Sequence, residues 1–246
     1  HGVLSKEQDF LFTIEHNVKR GRSDLIVRSF PELKVEAITE TNCNAAHEIV
    51  LSESGDFLWV AAGRTLESQN SGRALRFCPK TAKITDVFVS ESFVTFQHIW
   101  PLSDDKCLLL PTAQQNHPNL KNKKLFYFAD ESSNQIIPFE SPLMEELPLS
   151  VQGLSIAVSP DQSIALTTHV EAGILAKWDL KERRLLQYRS LDAFGIMIDP
   201  NDPKTAIFSR LDGTVGVIRL DDLTLSPLQI NLGQIRVGAH ISAARL

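Results

Sequence analysis

The chain has 246 residues, 43% of them hydrophobic and 22% charged, which is the make-up of a soluble globular protein with room for one large all-β domain or two smaller ones. A net charge of −5 and a pI near 5.8 exclude the broad basic surface that nucleic acid requires, and the Lys121, Lys123, Lys124 cluster reads as a solvated loop. Apolar runs such as Ile49–Leu51 and Cys107–Leu110 fall far short of the roughly 18 residues of a membrane span.

The chain opens on His1 and not on Met, as expected after processing, tag removal or truncation, so an export signal would lie outside the sequence. From there one pattern recurs five times. It consists of a short apolar strand, a Ser/Asp/Gly turn, a second apolar strand, a loop, a third strand opening on Gly, another turn and a fourth strand. The first copy covers His1 to Thr41. The second shows the pattern most clearly: Ala46 to Ser52, the turn Glu53-Ser54-Gly55-Asp56, Phe57 to Ala62, then Gly72 to Phe77 with apolar and polar residues alternating, the turn Pro79-Lys80-Thr81, and Ile84 to Val89.

The third copy starts at Gln97 and carries a longer polar insertion, Gln114 to Asn122, placed on a loop. Ser141 to Leu147, flanked by Pro142 and Pro148, is expected to be a loop or a single turn. The fourth copy runs from Leu154 to Ser159, turns at Pro160-Asp161-Gln162, and returns over Ile164 to Thr168. Its third strand, Gly173 to Asp179, closes in the Trp178-Asp179 pair typical of propeller repeats. The fifth spans Phe194 to Leu232, and Gly238 to Ser242 opens a sixth.

Anchor positions His1, His47, His98, Leu154, Phe194 and His240 lie 46, 51, 56, 40 and 46 residues apart, as blades with variable loops do. The fold expected is all-β: a single β-propeller domain over 1–246 of four-stranded blades, WD40/YVTN-like, with blades at about 1–45, 46–94, 95–150, 151–192 and 193–236 and another starting at 237–246. A double-sheet sandwich gives no reason for a four-strand unit to recur. Because a ring closes only when its last blade meets its first, either the remainder of the sixth unit lies at the other terminus or the chain is a fragment of a larger ring, and the fragment, lacking N-terminal blades, is the reading favoured.

Cys43, Cys78 and Cys107 have no short pairing such as C-x-x-C and read as buried or semi-buried thiols, not as a disulfide or zinc framework. Ser5, Ser52, Ser103 and Ser159 recur at the end of each first strand, and Asp56, Asp105, Asp161 and Asp212 sit in turns, so both sets read as turn-formers. No G-x-S-x-G, H-E-x-x-H or phosphate-cradling glycine loop occurs.

The histidines carry the clearest site signal. His47, His98 and His240 open the first strand of a repeat and His1 stands within one residue of the same place. Since the first strand of a blade is innermost, these imidazoles are expected to converge at one mouth of the central channel. Imidazole suits zinc, copper, nickel or iron, and Glu15 or Glu48 would supply an oxygen ligand. The alternative is polar lining of a wet channel, hydrogen-bonded to water or carbonyls. Leu154 and Phe194 at two anchors restrict any site to one side. His117 and His169 are assigned to exposed loops.

The strings His1-Gly2-Val3-Leu4-Ser5, Glu15, Gly21-Arg22, Ala46-His47-Glu48, Gln97-His98 and Ala239-His240 together resemble a bacterial family catalogued as domain of unknown function 1513. Its pattern runs His-Gly-Val-Phe-Ser, Thr-Glu-Asn, Gly-Arg, Pro-His-Glu-Leu, Arg-His and, near the C-terminus, Asn-His, in the same order over the whole chain. Here Ala46, Gln97, His16 and Ala239 depart from it. The resemblance implies an exported, periplasmic seven-bladed propeller with about two further blades before the His-Gly-Val string, often encoded beside imelysin-type iron-uptake proteins.

The function expected is a non-enzymatic binding module that presents a loop face to a protein partner or small ligand, associated with periplasmic iron or metal acquisition. A metal- or small-ligand-binding protein that uses the channel-mouth histidines, with a divalent metal as possible cofactor, is the first alternative. A propeller hydrolase is the second.

Overall fold

A computed structural model describes residues 1–63, 71–90, 94–112, 125–147 and 152–231. The chain is all-β and built of four-stranded antiparallel meanders. It divides into two compact units: the described residues up to Pro138, and Leu125 with the residues from Phe139 onward.

The first unit holds three meanders. The first is β1 (Gly2–Leu4), β2 (Phe10–Asn17), β3 (Arg22–Ser29) and β4 (Val35–Glu40). The second is β5 (Ile49–Leu51), β6 (Leu58–Ala62), β7 (Arg73–Cys78) and β8 (Lys83–Ser90). The third is β9 (Thr95–Pro101), β10 (Lys106–Thr112), β11 (Tyr127–Asp130) and β12 (Gln135–Pro138). A two-residue parallel pairing, Gln135 with Val89 and Ile136 with Ser90, joins β12 to β8, so the second and third meanders form one eight-stranded sheet.

Strand β6 shows why the apolar runs fold this way. All five of its residues are buried, as a strand with neighbours on both faces requires. Side chains alternate across a strand. Leu58, Val60 and Ala62 accordingly join Phe12, Ile14, Leu25 and Val27 in one cluster, with Leu75 and Phe77 of β7. Trp59 and Ala61 join Phe96, Ile99, Leu109 and Tyr127 in the next. Each core is thus the seam between one meander and its successor. The first strands follow the same order, β1 packing on β5 and β5 on β9.

Arg76 of β7 belongs to the second seam, beside Trp59. It is 5% exposed, with its guanidinium 4.5 Å from the Phe57 ring centre. Nε donates to Asp86 at 2.8 Å, and Nη1 donates to the Asp104 carbonyl at 2.8 Å and to Glu131 at 2.9 Å. One planar fork therefore ties the second meander to two turns of the third. Arg76→Met is expected to cost about 2–3 kcal/mol and to lower the melting temperature by about 4–12 °C. Arg76→Lys would recover little of this, because an ammonium does not reproduce the fork. Melting curves of the two variants check this; an unchanged Arg76→Met would show that the latch contributes nothing.

The second unit holds the 3-10 turn Pro142–Glu146 and two meanders. The first of these is β13 (Gly153–Val158), β14 (Ile164–His169), β15 (Ile174–Asp179) and β16 (Arg184–Ser190). The second is β17 (Ile196–Ile198), β18 (Thr205–Ser209), β19 (Thr214–Arg219) and β20 (Leu225–Asn231). Leu166 and Leu175 meet Ile196, Phe208 and Ile218 in its core, and β13 packs on β17. Lys177, Gln187 and Arg189 donate to the carbonyls of Asp221, Asp222 and Leu223, each at 2.9 Å, which clamps one meander onto the next turn of the other.

The recurring turn residues do what their spacing suggests. Ser5 Oγ accepts the N–H of Phe10, Ser52 Oγ that of Phe57 and Ser159 Oγ that of Ile164, each five residues on. Ser103 and Ser159 donate to Asp105 and Asp161, and Asp212 accepts the N–H of Thr214. Asp56 differs: its backbone N–H is held by Ser54 Oγ, so Ser54 supplies the side chain that fixes the turn. The glycine opening a third strand has a steric reason at two places. Gly173 has φ +60°, and a Cβ on Gly72 would lie 2.6 Å from the Val94 carbonyl oxygen.

Candidate functional site

Three of the recurrent histidines meet. The ring centre of His47 lies 4.6 Å from that of His1 and 5.3 Å from that of His98, and His1 and His98 are 6.4 Å apart. One comes from each meander of the first unit. His1 immediately precedes β1 and His47 stands two residues before β5, while His98 stands within β9, opposite Leu110. His1 is exposed, His47 half-buried and His98 buried.

The local backbone sets this geometry. His47 N–H donates to the Ala61 carbonyl and Ala61 N–H to the Glu48 carbonyl, both at 3.0 Å, so His47 and Glu48 continue the line of β5 beside β6. Strand β9 is an edge of its sheet, and a strand edge presents backbone groups that need partners. Glu48 meets that need, its Oε2 accepting the Ile99 N–H at 2.7 Å. The Gln97 backbone is hydrogen-bonded to the His47 ring. Consecutive side chains of the second meander thereby dress the free edge of the third. Glu48 Oε2 also lies 3.4 Å from His98 Nδ1.

Burial is the main cause that holds the His47 imidazole below its ordinary pKa, and His98 adds to it, against the Gln97 backbone and Glu48, which pull the other way. The His47 Nδ1 is buried and has no hydrogen-bond partner among the described residues. As the side chains stand, no group of three or more His, Cys, Asp or Glu among the described residues is placed to hold a metal ion.

The other expected ligands fall elsewhere. Glu15, on β2, pairs with Arg28 at 2.6 Å and accepts the Thr13 hydroxyl at 2.8 Å. Arg28 holds its carboxyl below the usual range. His240, His117 and the Lys121 cluster lie outside the described residues, as do the insertion and the opening of a sixth repeat. Cys43 and Cys107 are buried and Cys78 is half-buried, all as free thiols. Burial raises the Cys43 thiol to about 11.

His169 corrects the sequence reading. Assigned there to an exposed loop, it is the last residue of β14 and only 1% exposed. Its Nε2 lies 2.8 Å from Thr167 Oγ1, which accepts the Trp178 indole N–H at 2.8 Å. Thr167 and His169 share one face of β14, and Trp178 sits opposite Ala165, diagonal to Thr167. Phe139 meets Trp178 edge-on at 5.7 Å. The signal available in the sequence was the i, i+2 spacing of Thr167 and His169 in a strand that pairs with the Trp-Asp strand.

Comparison with protein-family models and with curated proteins returns no match. Among the described residues no helix is long and apolar enough to cross a membrane.

Proposed function

We propose that the chain is part of a β-propeller acting as a non-enzymatic binding module, with the His1–His47–His98 cluster as its small-ligand site. The propeller reading is supported by successive meanders that share face-to-face cores and by first strands that pack on one another in chain order. The family resemblance supports a seven-bladed, periplasmic ring with a link to metal acquisition. The observation that carries the site is the meeting of three imidazoles contributed by three successive meanders, because side chains at the head of inner strands converge where a channel opens.

The test is a thermal-shift panel of zinc, cobalt, nickel, phosphate and citrate on the parent, His47→Ala and His98→Gln. A ligand at about 100 times its Kd stabilises by about 2.7 kcal/mol, a rise of about 5–10 °C for a chain of this size. The reading expects such a rise in the parent and its loss in the variants. A panel that shifts nothing, or shifts the variants equally, overturns it.

A further inference from the structure

We infer that the groove between the two meanders of the second unit is a binding site for a small organic monocarboxylate with an apolar body, its acid group on Lys177. The site lies in a different unit from the histidine cluster and stands or falls without it.

Three turns and one strand build the groove. Its volume is about 750 Å³, within the range of about 300–1,000 Å³ that small-molecule sites occupy. Residues 159–163 join β13 to β14, residues 202–204 lie between β17 and β18, Leu220 and Asp221 lead from β19 towards β20, and Lys177 stands within β15. The turns hold their own shape. Asp161 accepts the hydroxyls of Ser159 and Ser163 at 2.6 and 2.8 Å, and Asp202 accepts the Lys204 N–H at 3.1 Å. Pro160 and Pro203 fix their own φ. The walls are therefore set before a ligand arrives, which lowers the cost of binding one.

Burial sorts the charges that line it. Asp161, Asp202, Lys204, Arg219 and Asp221 are all exposed, and Arg219 pairs with Asp221, so water and salt weaken what this rim contributes. Lys177 is half-buried, as is Ile164, and Leu220 is buried; these form the floor. The Lys177 Nζ donates to the Asp221 carbonyl at 2.9 Å, and no carboxylate among the described residues pairs with it. An ammonium has three donors, so protons remain for a ligand. Burial lowers the Lys177 pKa from its ordinary value, against the pull of Asp221 and Asp222. An anion brought to the amine offsets that same penalty.

The rest of the lining sets the size and charge of the ligand. Pro160, Ile164, Pro203 and Leu220 present apolar surface, which a carbon chain or ring would cover and so remove from water. One cation on the floor, under a rim that carries three acids, suits a single negative charge and disfavours a phosphate dianion.

The test is isothermal titration of the protein with octanoate, beside octanol, which lacks the charge, and octylamine, which reverses it. Octanoate is expected to bind at least about 10-fold more tightly than either. Lys177→Met keeps the side-chain stem and removes the ammonium, and water replaces its bond at the exposed Asp221, so the variant should fold as the parent does. It should bind octanoate about 10-fold or more weakly and octanol as the parent binds it. Lys204→Met, at the rim, should change octanoate binding by less than about fivefold. Octanoate that fails to bind, binds no better than octanol, or binds Lys177→Met as it binds the parent overturns the inference. An equal loss in Lys204→Met also overturns it, since that would mark a diffuse attraction between charges and not a site built on Lys177.

Discussion

Thr167→Val is expected to destabilise the protein by about 2–5 kcal/mol, although the two side chains differ by little more than one hydroxyl. Thr167, Trp178 and His169 are 0%, 0% and 1% exposed, and Thr167 Oγ1 is the atom through which the indole N–H and the imidazole Nε2 are both satisfied. Removing it takes the partner from two buried polar groups at once, at about 1–3 kcal/mol each, where water does not reach to replace it. The melting temperature should fall by about 5–15 °C. Thr167→Ser, which keeps the oxygen and loses a methyl, should cost about 1 kcal/mol. Urea unfolding of the three proteins checks this, and a Thr167→Val within about 0.5 kcal/mol of the parent would show that the network carries no weight.

The repeating meanders were legible because each second strand has neighbours on both faces. A run such as Leu58-Trp59-Val60-Ala61-Ala62 has to be apolar throughout, and the Ser-to-backbone bond five residues on leaves a fixed turn signature. The parallel pairing of β8 with β12 was not legible, since it spans only two residue pairs between fourth strands and imposes no pattern of its own. Nor was the burial of Arg76. Its partners Asp104 and Glu131 lie in turns of the next repeat, and a charged residue in an alternating strand reads as solvent-facing until its neighbours are known.

The site was legible to the extent that it depends on repeat phase. His1, His47 and His98 come together because residues at equivalent anchors occupy equivalent places in adjacent meanders. Sequence does not separate Glu48 from Glu15 in the same way. Both are carboxylates near an anchor, and only the register that brings Arg28 beside Glu15 and Ile99 beside Glu48 assigns one to the surface and the other to His98. His169 was misread because β14 ends on it and a turn follows at once. Position at a strand end does not say which face a side chain takes, and the alternation with Thr167 does.

That burial has a consequence in acid. Desolvation alone lowers the His169 imidazole to about 3, with no charged neighbour among the causes, while an unfolded chain titrates near 6.5. Above about pH 6.5 the ring is neutral in both states and adds no pH dependence. Between 6.5 and 3 the unfolded chain binds a proton that the native fold refuses, so stability falls as pH falls, by about 1.4 kcal/mol per pH unit from this group. Below 3 the native ring protonates too and the slope ends. From pH 7 to pH 5 the loss is about 2 kcal/mol, seen as a melting temperature about 4–8 °C lower. Other groups titrate in the same window, so the measurement is the difference between the parent and His169→Leu, which leaves the Trp178–Thr167 bond in place. Urea unfolding followed by tryptophan fluorescence at pH 7, 6 and 5 should show the stability gap moving by about 2 kcal/mol in favour of His169→Leu as the pH falls. A gap that stays constant would mean that His169 is hydrated or charged in the native protein, and that the burial of its ring is not the source of acid sensitivity.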